Sequence, residues 1–313
     1  MRLIDRVLLE PEFKAAPPVL VDVGAAGGVP RAWRRIARHS IGVAFEPDMR
    51  ATGTLRQAPR AFRRWILVPA LAMPSAGTTG MQSFHLTRAP ECSSILPPRR
   101  DALRAWAFSD FFEVQSTSAL PATTIAAALA AHGLDGVDWL KCDTQGLDLR
   151  LFLGLSDAWR SRLLAAEFEP GIIDAYEGED RLPEVLTAMR NEPFFLAGMS
   201  TLPMARHGPA AWSAGRRRWL RRTASRIPAW ANLRYLRDVQ QRAEALDRRA
   251  VLLAWVFAVA CRLPDYAGVV AEHGQARFGG ALFAEMARES ERLLRWAMVR
   301  GVPRWLWHRF GWG

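Results

Sequence analysis

Short apolar runs alternate with stretches of helical spacing over the first two-thirds of the chain. Eight short runs, of which the first is rich in β-branched residues, are predicted to be strands: residues 18–23, 41–45, 65–68, 81–86, 137–142, 163–168, 194–197 and 233–236. Four stretches are predicted to be helices: residues 30–39, 121–131, 148–159 and 181–190. This alternation favours an α/β fold, with a mostly parallel sheet covered by helices on both faces.

The pattern changes near residue 239, after which Arg-rich and apolar faces follow helical spacing. Two long helices are predicted here, over residues 239–262 and 281–300, and linkers are predicted near residues 205–215 and 263–268. The longest apolar run, 250–261, is shorter than the roughly 20 residues that a membrane-spanning helix needs, so it is predicted to be a buried helix. We therefore expect a cofactor-binding domain over residues 1–240 and a helical extension over residues 241–313.

The positive charge of the chain is concentrated in this second part. The net charge is +11, but residues 1–200 hold 22 Lys and Arg against 23 Asp and Glu, a net of −1. Residues 201–313 hold 20 against 8, a net of +12, and their basic cluster at 216–226 is predicted to be a loop. Such asymmetry suggests an anionic partner for the extension, either a membrane surface or nucleic acid.

Cysteine content and the start of the chain indicate the compartment. Three cysteines are too few and too scattered for a disulfide framework or a zinc site, and no apolar signal core follows Met1. We expect a cytoplasmic protein, with a peripheral position at the inner face of the membrane as the alternative. The end of the chain supports that alternative, because its aromatic and basic residues are typical of an interfacial anchor: Arg304, Trp305, Trp307, Arg309 and Trp312.

A glycine-rich turn follows the first predicted strand, in the sequence VDVGAAGG at residues 21–28. Gly24 permits an unusual backbone conformation, and small residues through Ala26 and Gly28 allow a ligand to approach the backbone closely. The predicted helix after the turn would offer free N–H donors to a carboxylate or phosphate. The spacing departs from the dinucleotide fingerprint G-x-G-x-x-G. A tight turn without a ligand remains the alternative.

Glu46 closes the second predicted strand, about 20 residues after the glycine turn. An acidic residue at this place in an α/β nucleotide site accepts hydrogen bonds from the two hydroxyls of a ribose. The alternative is a surface carboxylate that caps the next helix.

Two further strands end in polar sequences, LKCDTQGLD at residues 140–148 and EFEP at residues 167–170. Ligands of open parallel sheets bind beyond the carboxyl ends of the strands, so Asp143, Gln145 and Gly146 are expected at the reacting edge. Asp143 with Glu167 or Glu169 could hold a divalent cation, although a structural role for either pair is equally compatible with the sequence.

Taken in order, these motifs resemble the FkbM-type methyltransferase family over roughly residues 15–240. The resemblance rests on five segments: residues 21–28, 43–48, 83–98, 137–154 and 166–180. It implies a seven-stranded class I methyltransferase fold, S-adenosylmethionine as methyl donor, and O-methylation of a sugar, glycan or secondary metabolite. By position, it implies that Asp22, Gly24, Ala26 and Gly28 line the methionine moiety and that Glu46 binds the ribose.

The chain also departs from the family pattern. Residues 69–73 lack the acidic residue that is common after the third strand, where the adenine would bind, and Gln145 stands where many members carry Glu. The sequence at Cys92–Ser94 matches a family loop that is expected to overhang the pocket.

The catalytic base is predicted to be Asp143, with His85 as the second candidate. Lys141 could orient Asp143, although strand alternation is expected to place the two side chains on opposite faces. Three other functions stay open: a non-catalytic binding module, a nucleic-acid methyltransferase that uses the basic extension, and a dehydrogenase. Nucleic acid is disfavoured as a partner because the basic residues lie outside the predicted catalytic domain. Up to about residue 300 the extension is predicted to be a helical cap that packs on the core and covers the active site.

Overall fold

The computed structural model describes residues 2–48, 50, 55, 61–207, 213–223, 226–241 and 246–310 of the chain, and the description excludes the side chains of residues 214, 217, 220–222 and 301–310. Ten strands occur in the described residues: β1 (Val19–Val23), β2 (Ile41–Phe45), β3 (Arg64–Val68), β4 (Leu71–Met73), β5 (Gly80–Thr87), β6 (Val114–Thr124), β7 (Trp139–Cys142), β8 (Ala165–Phe168), β9 (Phe194–Met204) and β10 (Ile227–Arg237). All eight predicted strands are present.

Seven strands form the main sheet, in the order β3-β2-β1-β7-β8-β10-β9. The first five of these pair in parallel, whereas β10 runs antiparallel to both of its neighbours. Strands β1 and β2 are buried along their whole length, which explains why all of their residues except Asp22 are apolar. The predicted α/β fold with a seven-stranded, mostly parallel sheet is therefore confirmed. The chain order reverses between β1 and β7.

The remaining strands form a second sheet in the order β4-β6-β5. It contains the predicted strand at residues 81–86 and a long strand, β6, that the sequence analysis missed. The helix predicted over residues 121–131 is correspondingly shorter, because the chain stays extended through Thr124 and becomes helical at Ile125–Ala130. The Thr124 side chain marks the change, since its Oγ1 accepts a hydrogen bond from the backbone N–H of Ala127 at 3.1 Å.

The helices are α1 (Leu3–Val7), α2 (Pro11–Ala15), α3 (Arg100–Leu103), α4 (Ile125–Ala130), α5 (Asp148–Leu153), α6 (Asp157–Arg162), α7 (Leu182–Met189), α8 (Ala214–Thr223), α9 (Arg248–Ala260), α10 (Pro264–Phe278) and α11 (Ala281–Phe310). The helix predicted over residues 181–190 is confirmed. The one predicted over 148–159 is split into α5 and α6, and the Ser156 side chain begins α6 by accepting a hydrogen bond from the backbone N–H of Trp159 at 3.3 Å.

The helix predicted over residues 30–39 is wrong. That segment forms two short turns of 3-10 helix, Trp33–Arg35 and Ala37–His39, closed by bonds between residues three apart. Burial of Trp33 and Ile36, also three apart, matches this tighter spacing. The backbone N–H groups near the glycine turn therefore do not belong to the start of an α-helix.

The C-terminal helices share a core with one face of the main sheet. Helix α9 is buried there as predicted, and its Phe257 ring lies 4.7 Å from that of Trp139 on β7, centre to centre. Residues on both sides of the boundary predicted at 240 thus belong to one hydrophobic cluster. The opposite face packs against α4, α5 and α7.

Two predictions for the second part of the chain are wrong. Residues 263–268 are not a linker but belong largely to α10, and most of the predicted basic loop is helix α8. The linker predicted at 205–215 lies partly outside the described residues. So does the predicted membrane anchor: Arg304, Trp305, Trp307 and Arg309 fall where only the backbone is described, and Trp312 lies beyond it. Within the described residues, no helix combines the length and apolar character needed to cross a bilayer.

Candidate functional site

A cavity opens at the carboxyl ends of β1, β2, β7 and β8, where the strand order of the main sheet reverses. It encloses about 880 Å³, part of it open to solvent. Its lining residues all lie between Val23 and Glu169. This is where open α/β sheets bind their ligands. The expectation that the C-terminal extension covers the active site is therefore wrong for the described residues, since its helices pack on the sheet face instead.

The glycine turn forms one wall of the cavity, with Gly24, Ala26 and Gly27 in the lining. Gly24 adopts a left-handed conformation with φ of +79°, and a Cβ there would lie 1.8 Å from the carbonyl oxygen of Asp143. Glycine is thus required at position 24 because the ends of β1 and β7 approach each other closely there. A Cβ on Gly27 would meet nothing within 4 Å, which leaves the backbone open to a ligand. Gly28 lies outside the lining, contrary to its predicted cofactor contact.

Asp22 is also absent from the lining, because its side chain turns to the neighbouring strand. Its Oδ1 accepts a hydrogen bond from Lys141 Nζ at 2.9 Å, across the register that pairs the two residues on β1 and β7. Burial raises the pKa of Asp22 to about 6, while Lys141 opposes the rise. Burial alone would lower the pKa of Lys141, but the charges of Asp22 and Asp143 raise it above its usual range. Near neutral pH the pair is therefore ionic.

Glu46 lies in the cavity wall at the end of β2, as expected for a ribose-binding carboxylate. Only 4 % of the residue is exposed. Its Oε1 accepts a hydrogen bond from the backbone N–H of Asp48 at 2.8 Å. Burial raises the pKa of Glu46 to about 7, which leaves the carboxyl poised between its neutral and ionised forms.

An apolar slot continues from Glu46. It is formed by residues 70–73 after β3, by Phe84 on β5 and by Ile95. The segment that lacks the family's acidic residue thus presents an apolar surface to the cavity. The loop around Cys92–Ser94 lies over the slot, since Pro90, Glu91 and Ser93 contribute to the lining. Arg50 ties this loop to the end of β2, donating hydrogen bonds to Asp48 and to Ser93 Oγ, the latter at 3.2 Å.

The opposite end of the cavity carries Asp143, held on both sides of its carboxylate. Gln145 Nε2 donates a hydrogen bond to Oδ1 of Asp143 at 3.0 Å. The Tyr176 hydroxyl lies 3.0 Å from Gln145 Oε1 and 2.9 Å from the carbonyl oxygen of Cys92, so its one proton is shared between two acceptors. Gln145 has a φ of +59°, a strained conformation that non-glycine residues adopt mainly where the surroundings enforce it.

Lys141 contacts the other carboxylate oxygen of Asp143, with Nζ 3.7 Å from Oδ2. The expectation that the two side chains point to opposite faces is wrong, because residues two positions apart lie on the same side of a strand. The ammonium group stabilises a carboxylate at position 143.

Glu169 joins Asp143 in the lining, whereas Glu167 does not. The Glu167 carboxylate lies elsewhere, accepting hydrogen bonds from the Trp139 indole and the Arg234 guanidinium. Burial and then the charge of Asp143 raise the pKa of Glu169 to about 8, so this carboxyl is mostly protonated at neutral pH. Asp148 fixes the two strand ends, since it accepts hydrogen bonds from the backbone N–H groups of Thr144 and Glu169. Among the described residues, no three His, Cys, Asp or Glu side chains are grouped to hold a metal ion.

His85 lies on β5 next to Phe84 but outside the cavity lining. Successive strand side chains point to opposite faces, so Phe84 faces the cavity and His85 does not. Its Nδ1 lies 3.2 Å from Thr117 Oγ1 on the neighbouring strand β6. The geometry therefore favours Asp143 over His85 as the candidate base.

Sequence reasoning missed Tyr176 as a site residue. It lies in the segment after β8, far along the chain from Asp143, and no local pattern marks it. The complete burial of a tyrosine that still bonds two polar partners is visible only in the structure.

Replacing Tyr176 with phenylalanine tests this hydrogen-bond chain. We expect Tyr176→Phe to lower the free energy of unfolding by about 1–3 kcal/mol, since two buried acceptors lose their donor. Tyr235→Phe is the matched control, because no described residue accepts a hydrogen bond from the Tyr235 hydroxyl, and its cost should stay below about 0.5 kcal/mol. Urea denaturation measures the free energy of unfolding of both variants. Equal small losses would show that the hydrogen bonds of Tyr176 contribute nothing to stability.

Comparison of the chain with protein-family models, with curated proteins and with solved structures finds no match.

Proposed function

We propose that this chain is an S-adenosylmethionine-dependent methyltransferase that acts on a hydroxyl group of a sugar, a glycan or a secondary metabolite. One observation carries the proposal: the buried carboxylate of Glu46 shares a cavity with the open backbone of the glycine turn, at the reversal point of a seven-stranded sheet. The reversed strand β10 and the glycine spacing both separate the chain from the dinucleotide-binding arrangement.

The lining suits each part of this cofactor. Gly24, Ala26 and Gly27 offer backbone close to the methionine moiety, Glu46 offers acceptors for the ribose hydroxyls, and the apolar slot offers a surface for adenine. The acidic end at Asp143 suits a positively charged sulfonium. Ion pairing of Asp22 with Lys141 assigns those two residues to support of the site rather than to ligand contact.

When bound, the cofactor would supply a methyl group on a sulfonium sulfur, ready for attack by an oxygen nucleophile. A hydroxyl acceptor must lose its proton as its new bond to carbon forms, and Asp143 would take that proton. Gln145 and Lys141 fix the orientation of Asp143. The protonated Glu169 beside it adds no second negative charge. The cavity walls would align the acceptor with the methyl group, which lowers the barrier further.

The pKa of Glu46 predicts how cofactor binding depends on pH. Below about pH 7 the Glu46 carboxyl of the ligand-free protein is mostly protonated. Because the proposed contact with the ribose hydroxyls uses the ionised carboxylate, cofactor binding in this pH range must release the proton of Glu46. We expect the affinity for S-adenosylhomocysteine to be about tenfold lower at pH 6 than at pH 8, as a pKa of about 7 requires. For the same reason the ligand-free protein should lose stability as pH rises from about 4.5 to 7.

Isothermal titration at both pH values checks this dependence, with Glu46→Gln as the control. The amide does not titrate, so its affinity should be lower and the same at both pH values. A tenfold dependence that persists in Glu46→Gln would assign the titrating group elsewhere.

A further inference from the structure

A second cavity lies between the C-terminal helices and the turn Trp33–Arg35. It encloses about 760 Å³, part of it open to solvent. Apolar residues line it from three places: Val259 near the end of α9, Pro264 at the start of α10, and Leu293, Trp296 and Ala297 on α11. Three arginines complete the lining: Arg35, Arg262 and Arg300. We call this feature the arginine groove, and none of its residues lines the catalytic cavity.

The three guanidinium groups of the arginine groove have no carboxylate partner among the described residues. Other arginines of the same helical region do: Arg249 pairs with Asp138 at 2.8 Å and Arg6 with Glu285 at 2.7 Å. Arg300 instead lies over the Trp296 ring, with its guanidinium carbon 3.7 Å from the ring centre. Positive charges that line one groove repel one another, and an anion bound there would relieve that repulsion.

The backbone at Arg262 is unusual as well. Its φ of +64° places it in the left-handed region, at the junction of α9 and α10, where glycine is the usual residue. Arginine thus occupies a position that strains its backbone, and its side chain forms part of the arginine groove.

Exposed apolar side chains continue from the arginine groove along α11. Trp296 and Val299, which lie three residues apart and are therefore neighbours on the helix surface, are 54 % and 71 % exposed. Tryptophan beside arginine is typical of protein surfaces that enter the headgroup region of a bilayer, where the ring is half-immersed and the guanidinium binds phosphate. A nucleic acid would satisfy the arginines but would leave Val299 in water, so a lipid surface fits both features better.

We propose that the arginine groove binds the phosphate headgroups of anionic lipids and holds the protein on a membrane surface. This interaction is separate from methyl transfer and does not rest on it. The net charge of +12 in residues 201–313 supports the approach to such a surface.

Vesicle co-sedimentation of the full chain tests the proposal, with vesicles of phosphatidylcholine alone or mixed with phosphatidylglycerol. We expect binding to the anionic vesicles only. Arg35→Gln/Arg300→Gln removes two charges from the arginine groove and should weaken binding about twenty-five-fold, since an arginine near an anionic surface contributes about fivefold. Neither side chain donates a hydrogen bond to another described residue, so the variant should fold.

The matched control is Arg104→Gln/Arg190→Gln, which removes two exposed arginines without carboxylate partners from other parts of the surface. Its binding should stay within about threefold of wild type, and Trp296→Ala should weaken binding while leaving the net charge unchanged. Equal losses in both double variants would overturn the proposal, because charge alone would then explain the binding. So would equal binding to neutral vesicles, no vesicle binding, or binding to a labelled oligonucleotide that the groove variant alone loses.

Discussion

Replacing Asp143 with asparagine is expected to lower kcat about a hundredfold to ten-thousandfold, the contribution typical of a general base. Asparagine keeps the shape of the side chain and the acceptor for Gln145, but it cannot take a proton from the acceptor hydroxyl. Affinity for S-adenosylhomocysteine should change little, because that ligand lacks the sulfonium charge. Transfer of a radiolabelled methyl group, with any acceptor that the wild type modifies, measures the rate.

His85→Gln is the informative comparison for this variant. His85 was the second candidate base, but it lies outside the cavity lining and contacts Thr117. We expect its rate to stay within about threefold of wild type, since a surface substitution of this kind removes no group near the acceptor. A normal rate in Asp143→Asn together with a large loss in His85→Gln would reverse the assignment of the base.

The second large effect concerns Gly24, where a methyl group has no room. We expect Gly24→Ala to lower the free energy of unfolding by about 2–5 kcal/mol, because strain from the left-handed backbone adds to a collision with the Asp143 carbonyl. The strand ends that carry Val23 and Asp143 would have to separate. Urea denaturation followed by circular dichroism measures the loss.

Gly133→Ala separates the two contributions. Gly133 has a φ of +73° and ends helix α4 in a left-handed conformation, with the N–H of Leu134 bonded to the carbonyl oxygen of Leu129, but a Cβ there meets nothing within 4 Å. Its cost should therefore be the backbone contribution alone, about 1–2 kcal/mol. Equal losses at the two positions would mean that the close approach of Gly24 to Asp143 is unimportant for stability.

The central strands could be predicted because burial on both faces of a strand requires apolar residues at almost every position. Strands β1 and β2 are apolar at every position except Asp22, as a covered parallel sheet requires. Strand β6 has no such apolar sequence, since most of its residues are partly or fully exposed. It also runs straight into an Ala-rich helix. The segment at residues 30–39 is predicted to be a helix because its buried residues Trp33, Ile36 and Ala37 follow the i, i+3, i+4 spacing of an α-helix, although the hydrogen bonds close 3-10 turns.

The candidate site could be predicted only where its residues follow strand ends. Gly24, Glu46 and Asp143 each come directly after a predicted strand, and the parallel sheet brings those ends together. The support for Asp143 could not be found in the same way. Tyr176 reaches Gln145 from a segment after β8, and the link between Lys141 and Asp22 depends on the register of β1 against β7. Both are long-range contacts that no local pattern encodes.

The most direct test of the account is isothermal titration of the full chain with S-adenosylhomocysteine at about pH 8, with NAD⁺ titrated in parallel. We predict micromolar binding of S-adenosylhomocysteine at one site and no binding of NAD⁺. Glu46→Ala should weaken that binding about a hundredfold, since hydrogen bonds to a buried carboxylate are worth about 1.5–3 kcal/mol each. A folded wild-type protein that binds NAD⁺ instead would indicate a dehydrogenase, and one that binds neither ligand would make the cavity a structural feature or the site of a non-catalytic module.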